Sequence, residues 1–458
     1  MIRLCVASQT PPTLRLPSAS PPAGQPWRLG IDYVPQMGGV IPMMRALLHS
    51  SLGRWVAPRP LWVALGDSSL PRRFATDGGY TVETIDLDAR SRADYVEFKE
   101  AVWRSFHGPW GMGPFPSGAY RGYVNFNHRM AQRLLDHVTE YDLAFVNDFQ
   151  LLLVGGLVGS AAPVILRWHI PLELRGYPEQ VRRFFLRAME GSDAIVVSTR
   201  FALEELIRRG FHGRAFQVYP YLDPRDQAPV PDSEVRKFRD RFGLGDHPYI
   251  ISVGRMDPVK RQDLLLAAFG RIRRRFPDHR LVLVGGGSFS TRLARAAGEP
   301  TKDSAWMRRL AEVSRSSHLE GSAVFAGRLE HLELRAAYQG ASLFVHPAPW
   351  EGFGLVAIEA WMHGLPVIVS RGAGVSELVT DGVNGFTVPP GSVNSLSQRM
   401  ARMLTSPSKA ERMGESGRLG ARRCHVRFAA PRLREIFNHV IRTYRGRGRA
   451  PPEILNGP

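Results

Sequence analysis

A chain of 458 residues is too long for one ordinary hydrophobic core, so two domains are expected. With 44% hydrophobic and 10% aromatic residues, the composition is that of a globular protein and excludes a disordered one. Lys and Arg number 60 against 42 Asp and Glu, and the resulting formal charge of +18 favours anionic partners. Nucleotides, sugar phosphates, nucleic acid and acidic membrane surfaces all fit that charge. Two cysteines, Cys5 and Cys424, cannot build a disulfide framework, which points to a reducing cytoplasm. No apolar run approaches the roughly 20 residues that a membrane-spanning helix needs.

In chain order, residues 1–26 are rich in Pro and Ser and lack the apolar block of a signal peptide, so they are expected to form a disordered leader. Strands are predicted at WRLGIDY (27–33), PLWVALG (60–66), VETIDL (82–87), LAFVND (143–148), PVILRWHI (163–170), AIVVST (194–199) and FQVYPYL (216–222). Helical periodicity covers 118–139, 176–190 and the segment FALEELIRRG, which ends on a glycine stop. The Pro- and Asp-rich stretch 223–247 reads as a linker. The alternation then restarts with strands at YIISVGR (249–255), RLVLVGGG (280–287), SAVFAG (322–327), SLFVHP (342–347), LPVIVS (365–370) and NGFTVPP (384–390). Helices are expected near 260–275, 303–316, 331–340, 354–363, 393–405 and 408–422. The expected class is α/β, with two doubly wound, Rossmann-like domains at 27–222 and 248–426. A last helix at 427–445 is expected to pack back on the first domain, and a ligand cleft should lie between the carboxyl ends of the two sheets.

The stretch WEGFGLVAIEA (350–360) follows a predicted strand and opens a helix near Phe353, Gly354 and Leu355. Unpaired amides and the positive end of a helix dipole make such a start an anion site. Glu359 then stands about one turn into an apolar helix, where a lone carboxylate is costly unless something hydrogen-bonds it. Glu351 precedes the helix. Upstream, SVGRMDPVKRQDLLLAAF (252–269) puts Arg255 at a strand end and Lys260 where a helix begins. Two cations at one sheet edge can neutralise a leaving diphosphate.

In order and spacing, GRMDPVKRQDLLLAAF, LVLVGGG, VFAGRLEHLELRAAYQGASLFVHPAPWEGFGLVAIEAWMHGLPVIVS and GVSELVTDGVNGFTVPPG resemble the C-terminal half of retaining GT-B glycosyltransferases, the large family 4. The resemblance covers about residues 248–400. It implies that Arg255 and Lys260 bind the pyrophosphate of a nucleotide-diphosphate sugar. By the same resemblance Glu359 holds the ribose, Glu351 faces the donor sugar, and the amides around Phe353, Gly354 and Leu355 line sugar and phosphate.

In the first half, PQMGGVIPMMRALL (35–48) places Gly38 and Gly39 between strand and helix, similar to the glycine loop that touches donor phosphates in this superfamily. FVNDFQLLLVGGLVGSAAPVILRWHIPLEL (145–174) resembles stretches of trehalose-6-phosphate synthases and of glycosyltransferring trehalose synthases. YRGYVNFNHRMAQRLL (120–135) resembles their helix "Y-x-x-VN-x-x-FA", and VYPYLDP (218–224) the "PSIDP" that closes the trehalose synthase N-domain. This implies that Asp148 and His169 approach the reacting sugars, Asp148 on the acceptor side. Asn147 departs from the pattern by replacing a His, and Leu172 by replacing a Phe.

Asp86 and Asp88 form a D-x-D, the metal signature of a different glycosyltransferase fold, and read here as a turn. The Arg-rich runs at 271–276 and 445–449 read as solvated surface, and no nucleic-acid module accompanies them. The expected activity is metal-independent, cofactor-free transfer of a hexose, with glucose favoured, to a small sugar acceptor and with retained configuration. Within enzymes, the alternatives are a sugar-phosphate, glycerate or lipid-linked acceptor, the basic surface then meeting anionic lipid. A GT-B epimerase or hydrolase, and a nucleotide-sugar sensor, are the alternatives outside transfer.

Overall fold

The computed structural model describes residues 1–19, 21, 24–36, 39–66, 69–108, 115–287 and 302–445. The chain divides into two compact units, one of Met1–Leu222 with the chain from Val426 onward, the other of Asp223–His425.

The first unit holds β1 (Leu4–Ser8), β2 (Thr13–Arg15), β3 (Tyr33–Pro35), β4 (Leu61–Leu65), β5 (Arg73–Ala75), β6 (Thr81–Ile85), β7 (Leu143–Asn147), β8 (Val164–Arg167), β9 (Ala194–Val197) and β10 (Ala215–Gln217). Eight of these make one sheet in the order β10-β9-β8-β7-β1-β4-β6-β5, parallel except for the edge pair β5 and β6. The expected disordered leader is overturned: β1 lies in the middle of this sheet, flanked by β4 and β7, with all five residues buried. A central parallel strand is a short continuous apolar run. LCVAS is one, but the Pro- and Ser-rich residues after it conceal the signal.

The strand expected at 27–33 is also displaced. Leu29 and Ile31 are exposed in a turn, and the strand is β3, paired antiparallel with β2 so that Leu14 faces Val34. β2 stands outside the expectation, and β3 shares only Tyr33 with it. An 18-residue helix, Ala89–Phe106, is a further addition. Asp88 is its N-cap, the carboxylate accepting from the Ser91 N–H at 2.9 Å, so this member of the D-x-D begins a helix. The helix Val426–Arg445 lies on this unit, burying Leu433, Ile436, Phe437 and Val440 in one cluster with Trp55, Phe145 and Ile165.

The second unit contains β11 (Tyr249–Val253), β12 (Arg280–Val284), β13 (Ala323–Gly327), β14 (Leu343–His346), β15 (Val367–Ser370) and β16 (Gly385–Val388). They form an all-parallel sheet in the order β13-β12-β11-β14-β15-β16. Strand order therefore reverses between β11 and β14, and ligands of doubly wound sheets bind outside the carboxyl ends at such a point. The segment expected to be a linker is part of this unit. Its helix Asp232–Arg241 buries Phe238 against Tyr249, with ring centroids 6.0 Å apart, and the Val230 N–H donates to Gln339 at 2.8 Å. Phe238 is the one buried residue of that helix, so its periodicity hardly shows in sequence. Among the described residues no helix is long and apolar enough to cross a membrane.

Candidate functional site

The carboxyl ends of β11 and β14 carry the predicted cations and carboxylates. After β11 the chain turns through Gly254 and Arg255, and the Arg255 carbonyl accepts from the Gln262 side chain at 2.8 Å. Opposite, Gly285 at φ 150° approaches so closely that a Cβ would lie 1.8 Å from the Gly254 oxygen, so glycine is required there. Asp257 caps the short helical turn Pro258–Lys260, accepting from the Val259 N–H at 3.2 Å. Arg261, left-handed at φ 51°, then redirects the chain into the helix Gln262–Ile272.

This presents Lys260 toward the loop after β14. Its ammonium donates to Oε2 of Glu351, and both side chains are nearly enclosed, at 11% and 15% exposure. His346, the last residue of β14, makes no hydrogen bond through Nε2, which lies 3.5 Å from the same Glu351 oxygen. The backbone fixes Glu351 firmly: its N–H donates to Gly372 at 3.1 Å and its carbonyl accepts from Gly374 at 3.0 Å. Phe353 is buried, and its carbonyl accepts from the Val375 N–H at 2.8 Å. Gly354, at φ 99°, opens the helix Leu355–Met362 with no side-chain cap. The first amides of that helix, from Leu355 on, are those an anion would meet.

Glu359 lies on the same helix, partly exposed. Burial pushes its carboxyl up to about 7, opposed by a hydrogen bond from the Tyr338 hydroxyl to Oε2 at 2.9 Å. Tyr338 is its only hydrogen-bond donor among the described residues. The second oxygen, Oε1, is thus available to a ligand hydroxyl. Sequence reasoning missed both Tyr338 and His346. Each reads as a core residue, one inside a helix and one ending an apolar strand, and only the chain's return brings them beside a carboxylate.

The first unit gathers a second group where its own strand order reverses, between β1 and β7. Asp148 follows β7 at φ 75° and ψ 170°, a conformation that side-chain-bearing residues rarely adopt and that concentrates at functional sites. Burial raises its carboxyl to about 6, opposed by backbone N–H groups beginning with that of His169, which donates to Oδ1 at 3.1 Å. The His169 ring meets Asn147 through Nε2 at 3.1 Å. Burial, and then the neighbouring Arg167, hold that imidazole well below its usual range. Arg167 is fully buried, held by the Val218 carbonyl at 2.9 Å and the Tyr221 ring at 5.6 Å, and burial lowers it to about 10. Gly39, at φ 53°, precedes the helix Val40–Ser51, whereas Gly38 lies outside the described residues. Among the described residues no cluster of His, Cys, Asp and Glu suits a metal ion.

Residues 234–420, most of the second unit, match the family Glycosyl transferases group 1. The chain is 34% identical over 206 residues to the GDP-mannose-dependent alpha-(1-6)-phosphatidylinositol monomannoside mannosyltransferase of Mycolicibacterium smegmatis, covering 43% of this chain and 49% of that protein. It is 27% identical over 275 residues to the D-inositol 3-phosphate glycosyltransferase of Corynebacterium kroppenstedtii, covering 58% of each. The chain thus spans about half the length of the curated relatives it matches. Among solved structures, the UDP-forming alpha,alpha-trehalose-phosphate synthase of Burkholderia xenovorans, in complex with glucose-6-phosphate, superposes with a TM-score of 0.76 at 18% identity, covering 95% of this chain and all of that one. The fold is therefore that of the GT-B glycosyltransferases.

Proposed function

We propose that the protein moves a hexosyl group from a nucleotide-diphosphate sugar to the hydroxyl of a small sugar acceptor, with retained configuration. The observation that carries this is the meeting of Lys260 and Glu351 across the strand-order reversal of the second unit. A cation held there by a carboxylate can turn to a diphosphate, leaving the carboxylate to a sugar hydroxyl. In the reaction the donor's C1–O bond to the diphosphate breaks and a C1–O bond to the acceptor forms on the same face. The acceptor's proton passes to a diphosphate oxygen. Arg255, Lys260 and the amides opening the helix at Leu355 stabilise the charge that develops on the leaving group. Glu359 binds the ribose through Oε1, and Asp148 and His169 face the reacting sugars. Glucose as the transferred sugar and a trehalose-like product accord with the structural likeness to a trehalose-phosphate synthase.

A second reading is supported by the 34% identity to a phosphatidylinositol mannoside mannosyltransferase together with the charge of +18: mannose transferred to a lipid-linked acceptor. One experiment separates them. Purified protein is incubated with UDP- and GDP-sugars and, in turn, glucose, glucose 6-phosphate, glycerate and phosphatidylinositol mannosides in anionic vesicles, with products read by mass. A disaccharide supports the first reading, and a mannosylated lipid supports the second. Donor consumed equally without any acceptor overturns transfer altogether and leaves an epimerase or hydrolase.

A further inference from the structure

Asn147 is locked end for end. Its amide nitrogen donates to the Ala7 carbonyl at 3.2 Å and to the Phe145 carbonyl at 3.1 Å. A flipped amide would set its oxygen against two carbonyl oxygens, none of which has a proton to give. Oδ1 therefore faces Nε2 of His169, 3.1 Å away, and accepts from it. The proton of the neutral ring is thereby assigned to Nε2, so Nδ1 keeps the lone pair. Among the described residues Nδ1 has no partner, and it is not sealed from solvent. The charged groups beside the ring are Arg167, which disfavours a second proton, and Asp148, whose Oδ1 is turned to the His169 backbone.

We propose that Asn147 is a positioning residue that holds His169 as the Nε2–H tautomer and so presents Nδ1 as a hydrogen-bond acceptor to a substrate hydroxyl. A group lodged there must donate. A sugar hydroxyl does so, while an ionised phosphate oxygen does not, which makes this position selective for the neutral face of a sugar. The inference rests on the reading of His169 as a substrate-facing residue. The replacement of His by Asn at 147, a departure in the sequence, thus has a consequence in the proton position of another residue.

The test uses the full chain labelled with 15N-histidine, the His169 signals being identified among 14 histidines as those lost in His169→Gln. At neutral pH the wild-type ring should show a pyrrole-like Nε2 and a pyridine-like Nδ1, and added nucleotide sugar or acceptor should shift Nδ1. In Asn147→Ala both tautomers should appear, with the rate of transfer reduced about tenfold. A wild-type Nδ1–H ring overturns the proposal without any variant of Asn147 having to fold. An Asn147→Ala spectrum identical to wild type, in a protein whose melting curve shows it folded, overturns it as well. A redistributed tautomer with unchanged kcat and KM overturns the substrate-facing part alone. Near-normal nucleotide diphosphate release in Arg255→Ala and Lys260→Ala would instead overturn the underlying function.

Discussion

The hydroxyl of Tyr338 donates to one oxygen of Glu359 at 2.9 Å, and no other described residue donates to that carboxylate. Tyr338 is itself fully buried, so the bond is shielded on one side and leaves Oε1 open on the other. Replacing Tyr338 by Phe should remove the one donor among the described residues and raise the Glu359 carboxyl further, since this hydrogen bond lowers it. Losing a hydrogen bond to a charged group amounts to about 1.5–3 kcal/mol. Tyr338→Phe is expected to show that loss in chemical denaturation at pH 8 and to bind nucleoside diphosphate several-fold more weakly by calorimetry. Unchanged affinity would separate Tyr338 from the ribose role.

Glu359 itself gives a pH signature. Its carboxyl is raised from 4.5 to about 7, so the folded chain holds a proton that the unfolded chain has released. The stability linked to that proton is fully present below pH 4.5 and is lost as pH rises toward 7. At about 1.4 kcal/mol per pKa unit, reduced because part of the side chain meets water, the loss is about 1–3 kcal/mol. Glu359→Gln should be free of it, gaining on the wild type between pH 5 and pH 8 in urea unfolding. Its donor affinity should fall by about 1–2 kcal/mol at pH 8. Parallel stability curves for the two proteins would contradict the burial argument.

Lys260 and Glu351 are enclosed together, so replacing Lys260 removes the cation that faces the Glu351 carboxylate. Lys260→Ala should cost about 2–4 kcal/mol of transition-state stabilisation in kcat/KM, as should Arg255→Ala. In stability the order differs: Lys260→Met should be less stable than Lys260→Met/Glu351→Gln, because the double variant carries no enclosed negative charge at that position. Thermal melts of the two variants decide this, and a double variant no better than the single one would argue against the enclosed pair.

Asp88 caps a helix through Ser91 and stands outside both groups of site residues. Asp88→Ala is expected to lower the melting temperature, the usual effect of losing such a cap, with transfer unaffected. Transfer should also persist in EDTA. Activity abolished by EDTA and restored by magnesium or manganese would give the D-x-D the metal role that its helix cap argues against.

The strands of both sheets were largely legible because a parallel strand covered on both faces is a continuous apolar run, as LAFVN and LFVH are. The places of Arg255, Lys260, Glu351 and Glu359 on the sheet edge and helix were legible for a related reason: strand ends and glycine-bearing turns leave marks within a few residues. What escaped depended on distance along the chain. Tyr338 and Glu359 are 21 residues apart, and Lys260 and Glu351 are 91 apart, and nothing local announces that either pair shares a hydrogen bond. β1 escaped because four apolar residues and a serine beside a Pro- and Ser-rich stretch carry no periodicity of their own. The helix Asp232–Arg241 escaped because it buries a single side chain.

The helix Val426–Arg445 supplies Leu433, Phe437 and Val440 to a core whose strands begin at Leu4. On a ribosome, that core stays open until Val426–Arg445 has emerged. Trp55, Phe145 and their neighbours must wait, uncovered, while all of Asp223–His425 emerges, a segment that contains its complete sheet and can close in the meantime. Synthesis order and completion order are therefore reversed for the two units: the one whose strands are translated earlier closes only after Asp223–His425 has emerged, and a chain stalled before Val426 exposes apolar surface on that earlier unit.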